Sequence, residues 1–152
     1  MAETKITKNE IGTSELLDRN FIVIANPSQY TLTGSSTIVL NSTLYSSGSQ
    51  LTRSGSTVVI GAGVSYVQIS YTVMTEGSSS SAYLYTRIRK NTAELSQAID
   101  AASSVTYRST SETIIIPVTS GDVIDLAADT GSGSVLVRAS SNSTKMTVRA
   151  IA

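Results

Sequence analysis

Three carboxylates, Asp122, Asp125 and Asp129, fall within eight positions, a density that could seat a calcium ion or pair an acid with a base. Strand alternation works against both, because residues three apart on a regular strand point to opposite faces. Asp122 follows Ser120-Gly121 and is expected to close a turn through its side chain. Glu76, Glu94 and Glu112 are the remaining candidates for a glycosidase-type carboxylate pair, and no local pattern brings them together. A stripe of another kind is more informative. Tyr83, Tyr85, Arg87 and Arg89 alternate strictly, which on a strand puts two phenol rings and two guanidiniums on one face. Such a face either covers the sheet or makes a subunit contact, since Tyr and Arg are enriched at interfaces. An anionic glycan is a weaker third reading, with only two charges to hold it.

The chain has no His, no Cys and no Trp. That excludes disulfide frameworks, thiol nucleophiles, Cys/His zinc sites and His general bases together. Lys and Arg number 11 against 11 Asp and Glu, so there is no basic footprint for nucleic acid. Gly61-x-Gly63 lacks a third glycine and a following helix, which rejects a dinucleotide fingerprint. The expectation is a chain with no catalytic residue, no cofactor and no bound metal.

The elements that must position these residues read as strands. Ser (27) and Thr (20) make up about three residues in ten, helix formers are scarce, and Val, Ile, Thr and Tyr are common. With 40% of the chain apolar and only 14% charged, disorder is a poor reading. Short apolar runs begin at Phe21 and are separated by Gly, Ser and Asn. Strands are expected over 21–25, 37–45 (Ile38, Leu40 and Leu44 on one face), 58–60 and 64–75 (Val67, Ile69, Tyr71 and Val73 inward). More follow over 82–90, 105–108, 113–118, 123–128, 135–138 and 144–151, with 93–102 either a strand or a helical turn. Eight to ten strands at this spacing give an all-β antiparallel sandwich or closed barrel.

Residues 1–20 differ from the remainder. They hold many charges and four larger aliphatics, Ile6, Ile11, Leu16 and Leu17, at spacings that suit neither a strand nor a helix. The expected division is therefore an N-terminal arm over 1–20 and a head domain over 21–152. The first residues lack an apolar h-region, so no signal peptide is expected, and no apolar run reaches the length of a membrane helix.

Four segments in order carry a resemblance. They are Gly61-Ala62-Gly63-Val64-Ser65-Tyr66-Val67, Ile88-Arg89-Lys90-Asn91-Thr92, Ser120-Gly121-Asp122-Val123-Ile124-Asp125-Leu126 and Ser143-Thr144-Lys145-Met146-Thr147-Val148. The order is similar to that of the jelly roll shared by complement-type globular heads and tumour-necrosis-factor-like domains, over about residues 37–151. Thr92 stands where that family usually has Gly. The leader, from Lys5-Ile6-Thr7 through Ile11 to Leu16, resembles connectors that precede globular heads in tailed-phage structural proteins. Together these resemblances imply a TNF-like jelly roll that forms a homotrimer, with Tyr83, Tyr85, Arg87 and Arg89 a candidate trimer interface. They imply a non-enzymatic head-decoration or head-fibre protein of a bacteriophage virion. Ile6, Ile11, Leu16 and Leu17 would anchor it to the major capsid protein or another virion protein. The alternative is a receptor-binding tip of a tail fibre or baseplate that recognises a host saccharide. Nucleic acid and membrane are not expected partners.

Overall fold

The computed structural model describes residues 20–77, 83–100, 107–139 and 143–151. Ile6, Ile11, Leu16 and Leu17, and with them residues 1–19 of the expected arm, lie outside the described residues. The apolar alternation resolves into β1 (Phe21–Ala25), β2 (Tyr30–Thr37), β3 (Ser42–Ser47), β4 (Leu51–Ser54), β5 (Thr57–Ile60) and β6 (Tyr66–Gly77). It continues through β7 (Leu84–Lys90), β8 (Ala93–Asp100), β9 (Tyr107–Pro117), β10 (Val123–Val137) and β11 (Lys145–Ile151). The described residues contain no helix.

Every pairing is antiparallel, and the strands form two layers. One runs β3-β1-β11-β6-β9. The other runs β4-β5-β10-β7-β8, with β2 alongside β10. β10 belongs to both layers, because its first half pairs with β7 and its last residues, Val135 to Val137, pair with β6. The crossing sits at the register shift between Asp129 and Ser134. There the buried Thr130 hydroxyl accepts the Gly34 N–H at 2.9 Å and donates to the Gly133 carbonyl at 2.9 Å. Gly131 and Gly133, at φ 63° and 114°, supply the left-handed backbone of the bulge.

Between the layers lies one hydrophobic core, in which Ile24, Leu40, Ile69, Leu84, Leu126 and Met146 are fully buried. Each such side chain contributes about 1.5–3 kcal/mol by leaving water. On β6, Val67, Ile69, Tyr71 and Val73 all point inward, as alternation requires.

Three elements differ from the sequence reading. Residues 37–45 are not one strand: β2 ends at Thr37, and Ile38 and Leu40 enter the core from a connection before β3. The Ile38 N–H donates to the Leu126 carbonyl at 2.7 Å and the Leu40 N–H to the Ser56 hydroxyl at 3.1 Å, so side-chain alternation persists without a ladder. Residues 123–137 form a single strand, because the turn residues 130–133 make a bulge within the ladder. Residues 107–117 form one strand, β9, where separate strands were expected over 105–108 and 113–118; residues 93–100 take the strand alternative and join β7 by a two-residue turn.

Candidate functional site

β7 presents the stripe as its alternation dictates: Leu84, Thr86 and Ile88 are buried, while Tyr83, Tyr85, Arg87 and Arg89 take the opposite face. The register of β7 on β10 sets Arg89 directly across from Asp125. Its Nε donates to Asp125 Oδ1 at 2.8 Å, and its Nη2 donates to Oδ2 at 2.6 Å and to Thr37 Oγ1 at 2.9 Å. The bond to Asp125 raises the Arg89 pKa against the opposing effect of burial. Arg87 lies 3.2 Å from Glu94, and its guanidinium carbon sits 5.9 Å from the centre of the Tyr85 ring. The Tyr83 and Tyr85 rings are tilted neighbours at 6.1 Å. Both cations of the stripe are thus engaged within the chain, and what the stripe offers outward is tyrosine.

The three aspartates do not converge. Asp122 Oδ2 accepts the Thr119 N–H at 2.9 Å, closing the turn, and its Oδ1 accepts Asn91 Nδ2 at 2.7 Å. Lys90 adds its ammonium at 3.6 Å. The Thr119 N–H, then the Asn91 amide, hold the Asp122 carboxyl below the usual carboxylate range. Asp125 is taken by Arg89, and Asp129 Oδ1 accepts the Gly131 N–H at 2.8 Å. The glutamates are equally separate: Glu76 meets Arg138 at 2.8 Å, Glu94 meets Arg87, and Glu112 accepts from the Ser96 hydroxyl at 2.8 Å. Tyr71, buried beside Thr86 and Glu112, has its phenol pKa pushed up to about 12 by desolvation first of all. Among the described residues no three His, Cys, Asp or Glu gather as a metal cage would require. What these groups do is fasten strands and turns to one another.

The structure also exposes a surface that the motif reading passed over. On the β3-β1-β11-β6-β9 layer, the side away from the core carries Tyr45, Tyr66, Tyr107 and Ile115 in the open, with Ile115 60% exposed. A signal was present in Ile114-Ile115-Ile116, because three successive isoleucines on a strand cannot all face inward. On the other layer, the exposed large apolar residues are Tyr83 on the approach to β7 and Leu95 and Ile99 on the edge strand β8.

The fold places this chain in a class, the antiparallel jelly-roll sandwich of tumour-necrosis-factor and complement 1q type. Among solved structures, murine APRIL at pH 8.5 superposes with a TM-score of 0.69 at 11% identity, covering 87% of this chain and 98% of its own. The globular domain of zebrafish complement 1qA matches with a TM-score of 0.67 at 11% identity, covering 88% of this chain and 98% of its own. The PRD1 vertex protein P5 matches with a TM-score of 0.65 at 19% identity, covering 88% of this chain and 73% of its own. No family model and no curated protein sequence matches the chain.

Proposed function

We propose that this chain is a non-enzymatic structural protein of a bacteriophage virion, a trimeric jelly-roll capsid-decoration or head-fibre protein. The N-terminal arm, through Ile6, Ile11, Leu16 and Leu17, is the anchor to another virion protein, and the tyrosines and arginines of the β7 stripe belong to the trimer contact. The observation that carries the reading is the likeness to a protein named for a vertex, at the highest identity (19%) of the matches described above. The engagement of Asp122, Asp125, Glu76 and Glu94 in ties to neighbouring strands and turns supports a structural role over a catalytic one.

Electron microscopy of purified particles labelled with an antibody to this chain tests the reading. Label on the capsid is the expected result, whereas label confined to the tail tip favours receptor recognition. Particles without label overturn the virion assignment. Light scattering on the purified chain is expected to give the mass of three copies.

A further inference from the structure

Five threonines are buried among the described residues: Thr75, Thr86, Thr110, Thr130 and Thr144. A hydroxyl taken out of water is costly unless it finds a hydrogen bond. Three of the five have found one. Thr86 shares a bond with the Tyr71 phenol at 2.7 Å, Thr130 accepts from Gly34 and donates to Gly133, and Thr144 Oγ1 accepts the Met74 N–H at 3.3 Å. Thr75 Oγ1 and Thr110 Oγ1 are sealed from solvent and have no hydrogen-bond partner in the protein.

These two exceptions are neighbours. The β6–β9 register sets Thr75 across from Arg108 and Val73 across from Thr110, and alternation turns all four side chains inward. Thr75 and Thr110 are thus diagonal partners on one face, with backbones about 7–8 Å apart and Cβ atoms closer than that. Two hydrogen bonds of about 2.8 Å each, made through one small molecule, span about 5.6 Å, which hydroxyls on such a diagonal can match. Thr75 is 0% exposed, Thr110 4% and Arg108 5%, so the spot they line is inside the sandwich.

The surroundings select the occupant. Arg108 opposes a cation. Glu112, two positions from Thr110 on the same inward face, opposes an anion. An apolar group would leave both hydroxyls unsatisfied. What fits is neutral, very small, and both donor and acceptor. A buried water answers that description and makes about three hydrogen bonds. Arg108, a side chain with five N–H donors rooted directly across from Thr75, can supply the third.

We propose that an internal water bridges Thr75 Oγ1 and Thr110 Oγ1 and completes the polar end of the β6–β9 ladder. Thr75→Val and Thr110→Val keep the side-chain shape and remove one hydroxyl each. Urea midpoints are read by circular dichroism at one fixed chain concentration. With the water in place, each single variant strips it of a partner and strands the other hydroxyl, so the midpoint is expected to fall. The double variant leaves no hydroxyl to hydrate, and it is expected to fall by less than the two single losses added. Without the water, each valine relieves a buried hydroxyl that nothing satisfies, and the midpoint rises. A rise, an unchanged midpoint or additive losses overturn the proposal. A crystal structure of the unaltered protein decides independently of the variants. Density for a water within about 3.2 Å of both hydroxyl oxygens is expected, and hydroxyls bonded to protein atoms or to nothing overturn the bridge.

Discussion

Asn91 and Asp122 stand 31 residues apart in the chain, and the Asn91 Nδ2 donates to Asp122 Oδ1 at 2.7 Å. Asn91 also accepts the Val123 N–H on its own Oδ1 at 2.8 Å and donates its backbone N–H to the Val123 carbonyl at 2.9 Å. One side chain therefore pins the β7–β8 turn to the turn that opens β10. It can do so because its backbone is left-handed, at φ 52°.

The neighbouring Thr92 is also left-handed, at φ 71°, a conformation that crowds a β-branched side chain. Two-residue hairpins of this twist favour Asn followed by Gly. Thr92→Gly is expected to stabilise the head by about 0.5–1 kcal/mol, the relief of strain less the backbone freedom that glycine gives the unfolded chain. A rise in urea midpoint at constant slope checks it; no rise would mean that the turn is not strained by its threonine.

Asp122 gives the acid response a direction. Its folded carboxyl is held below the unfolded value by the Thr119 N–H and the Asn91 amide. The unfolded chain therefore binds the proton more readily, and the stabilisation is complete above the ordinary carboxylate pKa of about 4 and lost as pH falls through the folded value. Asp122→Asn is expected to flatten part of the fall in stability below about pH 4. Urea midpoints at several acidic pH values read this, and an unchanged acid slope would show that other carboxylates dominate.

How far the sequence could be read shows in particular residues. Val67 through Val73 declared their faces by alternation, and Asp122 declared its turn by following Ser120-Gly121. β2 was silent because Thr31, Thr33, Gly34, Ser35 and Ser36 leave only Leu32 buried along its length. Ile38 and Leu40 misled, since alternation reports burial and not hydrogen-bond pairing. The pairing of Arg89 with Asp125, across 36 residues, required the β7–β10 register, which no local pattern contains.

That pair is expected to be strongly coupled. Asp125→Ala leaves a mostly buried guanidinium with Thr37 Oγ1 in place of a two-pronged carboxylate, and a loss of about 1–3 kcal/mol is expected. Replacing both partners, Arg89→Met with Asp125→Ala, removes the stranded charge along with the bond. The double variant is expected to lose at least about 0.5 kcal/mol less than the two single variants together. Additive losses in a double-mutant cycle would show that the ion pair contributes nothing of its own.

The proposed anchor role of the arm predicts that attachment and folding can be separated. Every large aliphatic of the described core lies at Ile22 or beyond, and the first tie to the chain's C-terminal strand is the Asn20 carbonyl, which accepts the Ala150 N–H at 2.9 Å. A chain beginning at Asn20 keeps that bond and the whole described core, so its urea midpoint is expected to match that of the full chain. Ile6, Ile11, Leu16 and Leu17 are too sparse for a core of their own. Buried on a partner, each would supply about 1.5–3 kcal/mol against the cost of ordering the arm. Removing residues 1–19, or replacing Ile6 and Ile11 with Asp in the full chain, is therefore expected to leave the head folded and abolish its retention on particles. Retention is read by protein composition after sedimentation of the particles. A truncated head that still decorates particles at full occupancy would move the attachment surface into the jelly roll, where the loops between strands become the binding region and recognition of a host saccharide becomes the better account.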